Sequence, residues 1–365
     1  MLDREELQSA VDAGLLTPIQ ADALVAHYAR TDETSADREE VRFARGFHDV
    51  FISIGLVIFF VGLFLGIPSL LSFGQPKTLA TYGPATVIAW LLAEWLAGRR
   101  KLALPAILLS VLFTWFFAVT ATAIYGHVGG RVVMTSDIGN PLFGPFGFDW
   151  GAHDKVPLVF GLAAFFGGAL YYGRFKVPIA LSGLVAGALV TLAALIETAS
   201  PGLVLRHVAP FLLAAGLICF ALAMYFDARD LARTTLNTDK AFWLHLMAAP
   251  LIMHSVLAMI RSDTGTTGEA VAIIAVVLVL GIVALVVDRR ALLVSGLVYL
   301  GVAIFNLLKS SNVDGQTGIA ASLLILGLFI LTLGSGWTSV RRLVLAPFSG
   351  SRLFDYVPPI RTRVQ

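Results

Sequence analysis

From residue 50 onward the chain alternates long apolar runs with short polar connections. Ten runs fall near 50–72, 79–97, 102–126, 156–173, 177–197, 208–226, 241–260, 268–287, 291–308 and 316–337. As helices rising 1.5 Å per residue, such runs suit a hydrocarbon layer of about 30 Å. Tyr82, Trp95, Tyr125, Tyr171, Tyr172, Tyr225, Trp243 and Trp337 fall near run ends, where interfacial aromatic belts form. The connections Gly98–Lys101, Gly173–Lys176 and Asp288–Arg290 are very short, which predicts antiparallel hairpins from helices 2–3, 4–5 and 8–9. The fold class this predicts is all-α: a polytopic integral membrane protein of about ten transmembrane helices, with a small helical hairpin at its N-terminus.

That hairpin is read over residues 1–30. Leu2, Leu7 and Val11 recur at helical spacing, and Asp3, Glu5 and Glu6 suit a first turn, where the helix dipole favours anions. Gly14 suits the residue after a helix end, and Thr17-Pro18 reads as an N-cap followed by a first-turn proline. Residues 31–49 are a polar linker and an Arg-rich juxtamembrane helix lying along the headgroups. Residues 50–337 form the membrane domain and 338–365 a cytosolic tail. The one long external connection, 127–155, is rich in Gly, Pro and aromatic residues, so it is expected in the outer interface or folded over the bundle.

Composition supports the membrane class. Apolar residues are 57% and charged residues 14%, against about 45–50% and about 25% in soluble domains. The net charge of +2 gives no argument for nucleic acid. Its distribution is informative. With connections assigned to two sides in alternation, 20 Lys and Arg fall on the side holding both termini and 6 on the other. That is the positive-inside pattern, predicting cytoplasmic termini in a bacterial inner membrane. The first run is too long for a signal-peptide core and is read as a retained span. Cys219 is the single cysteine, so it is read as packing rather than as part of a disulfide or zinc site. No cofactor is expected, and the partner common to every reading is the lipid bilayer.

Helix 7 carries the most unusual residues: His245, Pro250 and His254 in one span. Intramembrane ionisable groups are costly and face a bundle interior or a wet cavity, and a mid-span proline frees a carbonyl and can kink the helix. Nine residues separate the histidines by about 13.5 Å and about 180° on a straight helix, so they cannot share one metal or haem. Two readings stand side by side: a proton-coupled gate at the kink, centred on His254, or two histidines hydrogen-bonding neighbouring helices. Glu94, one turn from Arg99 and Arg100, reads as an interfacial ion pair. Glu197 is within reach of the Arg206-His207 lip and reads as a structural pair. Asn306 could line an external vestibule or bond at a helix end. Asp149, His153 and Asp154 form a weak metal pattern in the outer loop. Gly62/Gly66 and Gly183/Gly187 would allow close helix approach.

The segment Arg174–Leu184 resembles Arg289–Leu297, which would make helices 2–5 and 6–9 parallel units of the kind transporters carry. No hydrolase, metalloprotease or P-loop signature occurs. The stretch Asp12-Ala-Gly14-Leu-Leu-Thr17-Pro18-Ile-Gln20-Ala21 resembles the N-terminal hairpin of a broad group of uncharacterised bacterial multi-spanning membrane proteins. The stretch Ala241–His254 resembles a segment of hypothetical proteobacterial membrane proteins. Neither resemblance implies a catalytic or binding residue. The expected function is a small-molecule or ion transporter. The alternatives are a non-transporting assembly or sensory protein that docks a cytosolic partner through residues 1–48, and a membrane-embedded lipid-modifying enzyme.

Overall fold

The structure, a computed structural model, describes residues 11–23, 47–70, 77–129, 155–260, 267–311, 314–348 and 357–358. Expectations for the linker at 31–46 and for most of the long connection, with Asp149, His153 and Asp154, lie outside the described residues. Ten helices of 17 residues or more run through the described residues, and no strand occurs among them. They are α1 (Phe47–Leu70), α2 (Lys77–Ala93), α3 (Ala103–Val128), α4 (Val156–Phe175), α5 (Ile179–Ala199), α6 (Val208–Ala228), α7 (Leu236–Ile260), α8 (Thr267–Val287), α9 (Ala291–Ser310) and α10 (Gly315–Leu345).

Eight of these are long and apolar enough to cross a membrane. The two that fall short are α2 and α9. The 17 residues of α2 run on into a six-residue π turn, Glu94–Arg99, and the apolar part of α9 is the shorter Gly296–Ser310. The chain is therefore an all-α, multi-pass membrane protein. Two element ends depart from the apolar runs. α7 starts at Leu236 and α10 continues to Leu345. Asp239, Lys240, Arg341 and Arg342 end an apolar run without ending a helix: Lys and Arg propagate helices well, and Asp239 sits in a first turn, where the helix dipole favours an anion.

Helices α2, α3, α4 and α5 pack in sequence, with α1 against α2 and α3. In the second half α6 lies along α7, α9 packs on both α7 and α8, and α10 covers α8 and α9. The parallel-unit expectation fails on this packing order: α3 and α4 share a long interface, whereas their counterparts α7 and α8 barely touch. The halves meet chiefly at α5 and α7, where Val185 joins Cys219, Ala223, Leu244 and Ala248 in one core.

The closest backbone approach joins α4 to α5. A Cβ on Gly161 would lie 2.6 Å from the Thr191 nitrogen, and one on Gly168 2.7 Å from that of Leu184. Gly187 sits directly against the Phe165 backbone. Gly62 and Gly66 meet nothing within 4 Å, so the close approach expected there is not made within this chain. The face α1 buries is instead the stripe Asp49, Ser53, Leu56 and Phe60.

The described turns on the Lys- and Arg-rich side, the basic face, share one backbone device. Lys101, Lys176, Arg233 and Asp288 each adopt a left-handed φ, of 53°, 57°, 58° and 59°. Helix ends commonly need that conformation and usually meet it with glycine. Near residue 14, Gly14 does supply it, with φ 70° and its N–H donated to the Val11 carbonyl. Thr17 and Gln20 then exchange backbone-to-side-chain hydrogen bonds of 3.0 and 3.3 Å, a capping box at a helix start.

Candidate functional site

The densest polar cluster among the described residues lies at the basic face of the second half. Asp227 ends α6, His245 stands three turns into α7, and Arg289 occupies the tight α8–α9 turn. All three are buried, with side chains 3%, 0% and 0% exposed. His245 Nε2 lies 2.8 Å from Asp227 Oδ2. Arg289 donates Nε to the same oxygen at 3.2 Å and Nη2 to Oδ1, and it also reaches the Thr238 carbonyl at 3.3 Å. Phe220 meets the imidazole edge-on at 5.3 Å. His245 Nδ1 is buried with no hydrogen-bond partner among the described residues.

A second ring of contacts ties this centre to the rest of the basic face. Asp288, beside Arg289, accepts from Trp337 Nε1 at 2.7 Å and pairs with Arg233 at 3.1 Å. Arg233 also donates to the Asp288 carbonyl at 2.7 Å. Arg341 on α10 donates to the Leu285 carbonyl at 3.0 Å and to the Pro358 carbonyl. One three-residue turn thus sends Arg289 inward to α6 and α7, and Asp288 sideways to the α6–α7 loop and to α10. In that loop Asp230 accepts from the Thr234 and Thr235 amides and from the Thr235 and Thr238 hydroxyls at 2.7–3.0 Å. Burial alone would raise its carboxyl. These donors outweigh that and hold its pKa at about 2.

An unpaired charge at this depth would cost several kcal/mol. Here one carboxylate serves an arginine and a histidine, so a proton gained or lost at His245 changes the balance on Asp227 and Arg289 together. Among the described residues no group of three or more His, Cys, Asp or Glu side chains could hold a metal ion.

The residues singled out in the sequence are dispersed. His245 joins the cluster. His254, about half a turn round the helix from it, is exposed and hydrogen-bonds Tyr299 on α9 through Nδ1. Pro250 lies inside an unbroken α7, two residues before the point where Gly216 of α6 presses on Ile252. Asn306 is exposed near the far end of α9, two turns beyond Tyr299. Glu94 pairs not with Arg99 or Arg100 but with Arg174, at 2.8 and 2.9 Å. The π turn carries Arg99 and Arg100 past it, and Arg100 stacks on Trp95 instead. Glu197 pairs with neither Arg206 nor His207. It accepts the amides of Gly202 and Val204, the latter at 2.9 Å, closing the turn before α6.

Sequence reasoning missed Asp227, Arg289, Asp288, Arg233 and Arg341. Arg233, Asp288, Arg289 and Arg341 read only as loop charges, and Asp227 carried no expectation. The signal for Asp227 was a carboxylate immediately after the apolar run 208–226. Arg289 had only the shortness of its turn.

The fold and this cluster define the class, a polytopic α-helical membrane protein with a buried ionic centre. Comparison of the chain with protein families, with curated proteins and with solved structures finds no match.

Proposed function

We propose that this chain is a bacterial inner-membrane protein with cytoplasmic termini, and that it carries a small solute or ion in exchange or symport with protons. The coupling centre is His245–Asp227–Arg289. The single observation behind this reading is that the three side chains are buried together at the end of a membrane bundle, with one imidazole nitrogen unpartnered. Intramembrane ionisable groups mark proton and substrate paths by default, and an imidazole can gain and lose a proton while its guanidinium neighbour keeps its own. Protonating His245 puts two cations on one carboxylate, which weakens the hold of Arg289 on α6 and α7. The α8–α9 turn is then free to shift against them, a two-state motion of the hinge or shear kind. The excess of Lys and Arg on this face supports the orientation.

The test uses full-length protein in vesicles loaded with a pH-sensitive dye, with imposed gradients of amino acids, sugars and monovalent ions. Wild-type protein should move protons with at least one of these, and His245→Gln should abolish that movement while remaining folded. No flux with any solute, or equal flux in the variant, would falsify the reading.

A second reading has its own observation. Leu15 and Ile19, four residues apart around the capped turn, are 78% and 81% exposed, which fits a docking face for a cytosolic protein. Co-purification from native membranes, comparing wild type with Leu15→Glu/Ile19→Glu, tests it. An identical set of retained proteins removes it.

A further inference from the structure

The two halves of the bundle meet at the basic face around one aromatic ring. Tyr172, in the last turn of α4, has the Lys176 ammonium 5.3 Å from its ring centre and the Lys240 ammonium, from the start of α7, at 5.9 Å. Lys240 also stands 5.3 Å from the Phe226 ring and donates to Asn237 Oδ1 at 3.1 Å. Among the described residues neither lysine is paired with a carboxylate. The arginines nearby differ: Arg174 is held by Glu94, Arg233 by Asp288 and Arg289 by Asp227.

We infer that Lys176, Lys240 and Tyr172 form a binding site for the phosphate of an anionic lipid headgroup at the seam between the two halves. Three physical points carry this. Two like charges converge on one ring, and the ring's cation–π attraction does not neutralise them. Each ammonium has three donors. Among the described residues Lys240 uses one of them and Lys176 none, so the site offers unfilled donors to a phosphate. The level is right as well: both lysines sit at the ends of spanning helices, beside tyrosine and phenylalanine rings, where headgroup phosphates lie and where basic pockets between helices take anionic lipids. Lys176 stands in the left-handed position of its turn, with its ammonium over the Tyr172 ring. A lipid seated there would bridge α4 and α7, elements of different halves.

The test is native mass spectrometry of the full-length protein in detergent, titrated with phosphatidylglycerol or phosphatidylcholine of equal chain length, and separately with inorganic phosphate. Wild-type protein should retain phosphatidylglycerol preferentially. Lys176→Gln/Lys240→Gln should weaken that binding about 30-fold and leave phosphatidylcholine unchanged. Arg99→Gln/Arg100→Gln removes the same charge from the same face and should leave the preference intact. If the double lysine variant misfolds, Lys176→Gln alone, at an exposed position, should give about a fivefold loss. Unaltered binding in the lysine variants, or equal loss in the arginine control, overturns the site. Displacement of phosphatidylglycerol by inorganic phosphate overturns the lipid as its ligand.

Discussion

Removing Arg289 tests whether the buried centre is one coupled unit. In Arg289→Met the guanidinium disappears and Asp227, 3% exposed, keeps His245 as its remaining partner of the two. Breaking a buried pair by deleting one partner costs about 3–5 kcal/mol, because the other charge is stranded. The same range applies to Asp227→Leu, which takes from Arg289 the carboxylate that holds it. The double variant Arg289→Met/Asp227→Leu leaves no buried charge, since His245 can stay neutral. It should therefore be far less destabilised than the two singles combined, with a coupling energy of about 2–3 kcal/mol. The chain supplies its own probe. Cys219 is the only cysteine, it is fully buried, and it lies on α6 two turns before Asp227. Its reaction with a fluorogenic maleimide during unfolding in mixed micelles reports the free-energy change directly. Additive single effects, or a loss below about 1 kcal/mol in Arg289→Met, would refute the claim that these residues form one ionic unit.

Three further outcomes follow from the same structure. Gly187→Ala should destabilise by about 2 kcal/mol or more, since its Cβ meets the Phe165 backbone, whereas Gly62→Ala should be neutral because it meets nothing; Cys219 labelling ranks them. Asp230, held at about 2 against an ordinary 3.8, contributes stability that is complete above the ordinary value and is lost as pH falls through the held one. Wild-type thermal stability in detergent should therefore drop between pH 4 and 2 by an increment that Asp230→Ala lacks. Lys101→Gly should raise the unfolding free energy by about 0.5–1 kcal/mol by relieving a left-handed residue. Asp288→Gly, despite the same relief, should lower it, because Trp337, Arg233 and Arg341 lose their shared acceptor.

The helical architecture was legible because each span is a nearly unbroken apolar run, a signal local to about twenty residues. The basic turns were legible for the same reason, since a three-residue connection leaves two helices no choice but to reverse. The cluster depended on something a run does not encode, the direction of a side chain. Asp288, Arg289 and Arg290 are consecutive charges in one turn, and nothing in their order says that the middle one points into the bundle while Arg290 stacks on Trp337. Partners distant in sequence were equally hidden. Glu94 bonds Arg174, 80 positions away, and not the arginines five and six residues along. For the histidines, the half-turn offset was legible and did separate their surroundings. Which of the two faced inward was not, because both flanks of α7 are apolar.

The left-handed residues of the basic-face turns have a consequence for how this chain would evolve. At helix ends, folding alone favours glycine, and membrane insertion favours a cation on this side. Lys101 and Lys176 meet the second demand at the expense of the first. Selection for survival in detergent, where insertion is no longer at stake, should therefore collect glycines at these two positions. The resulting proteins would be hardier once purified but less certain of their direction in a living membrane, with some copies inserted upside down.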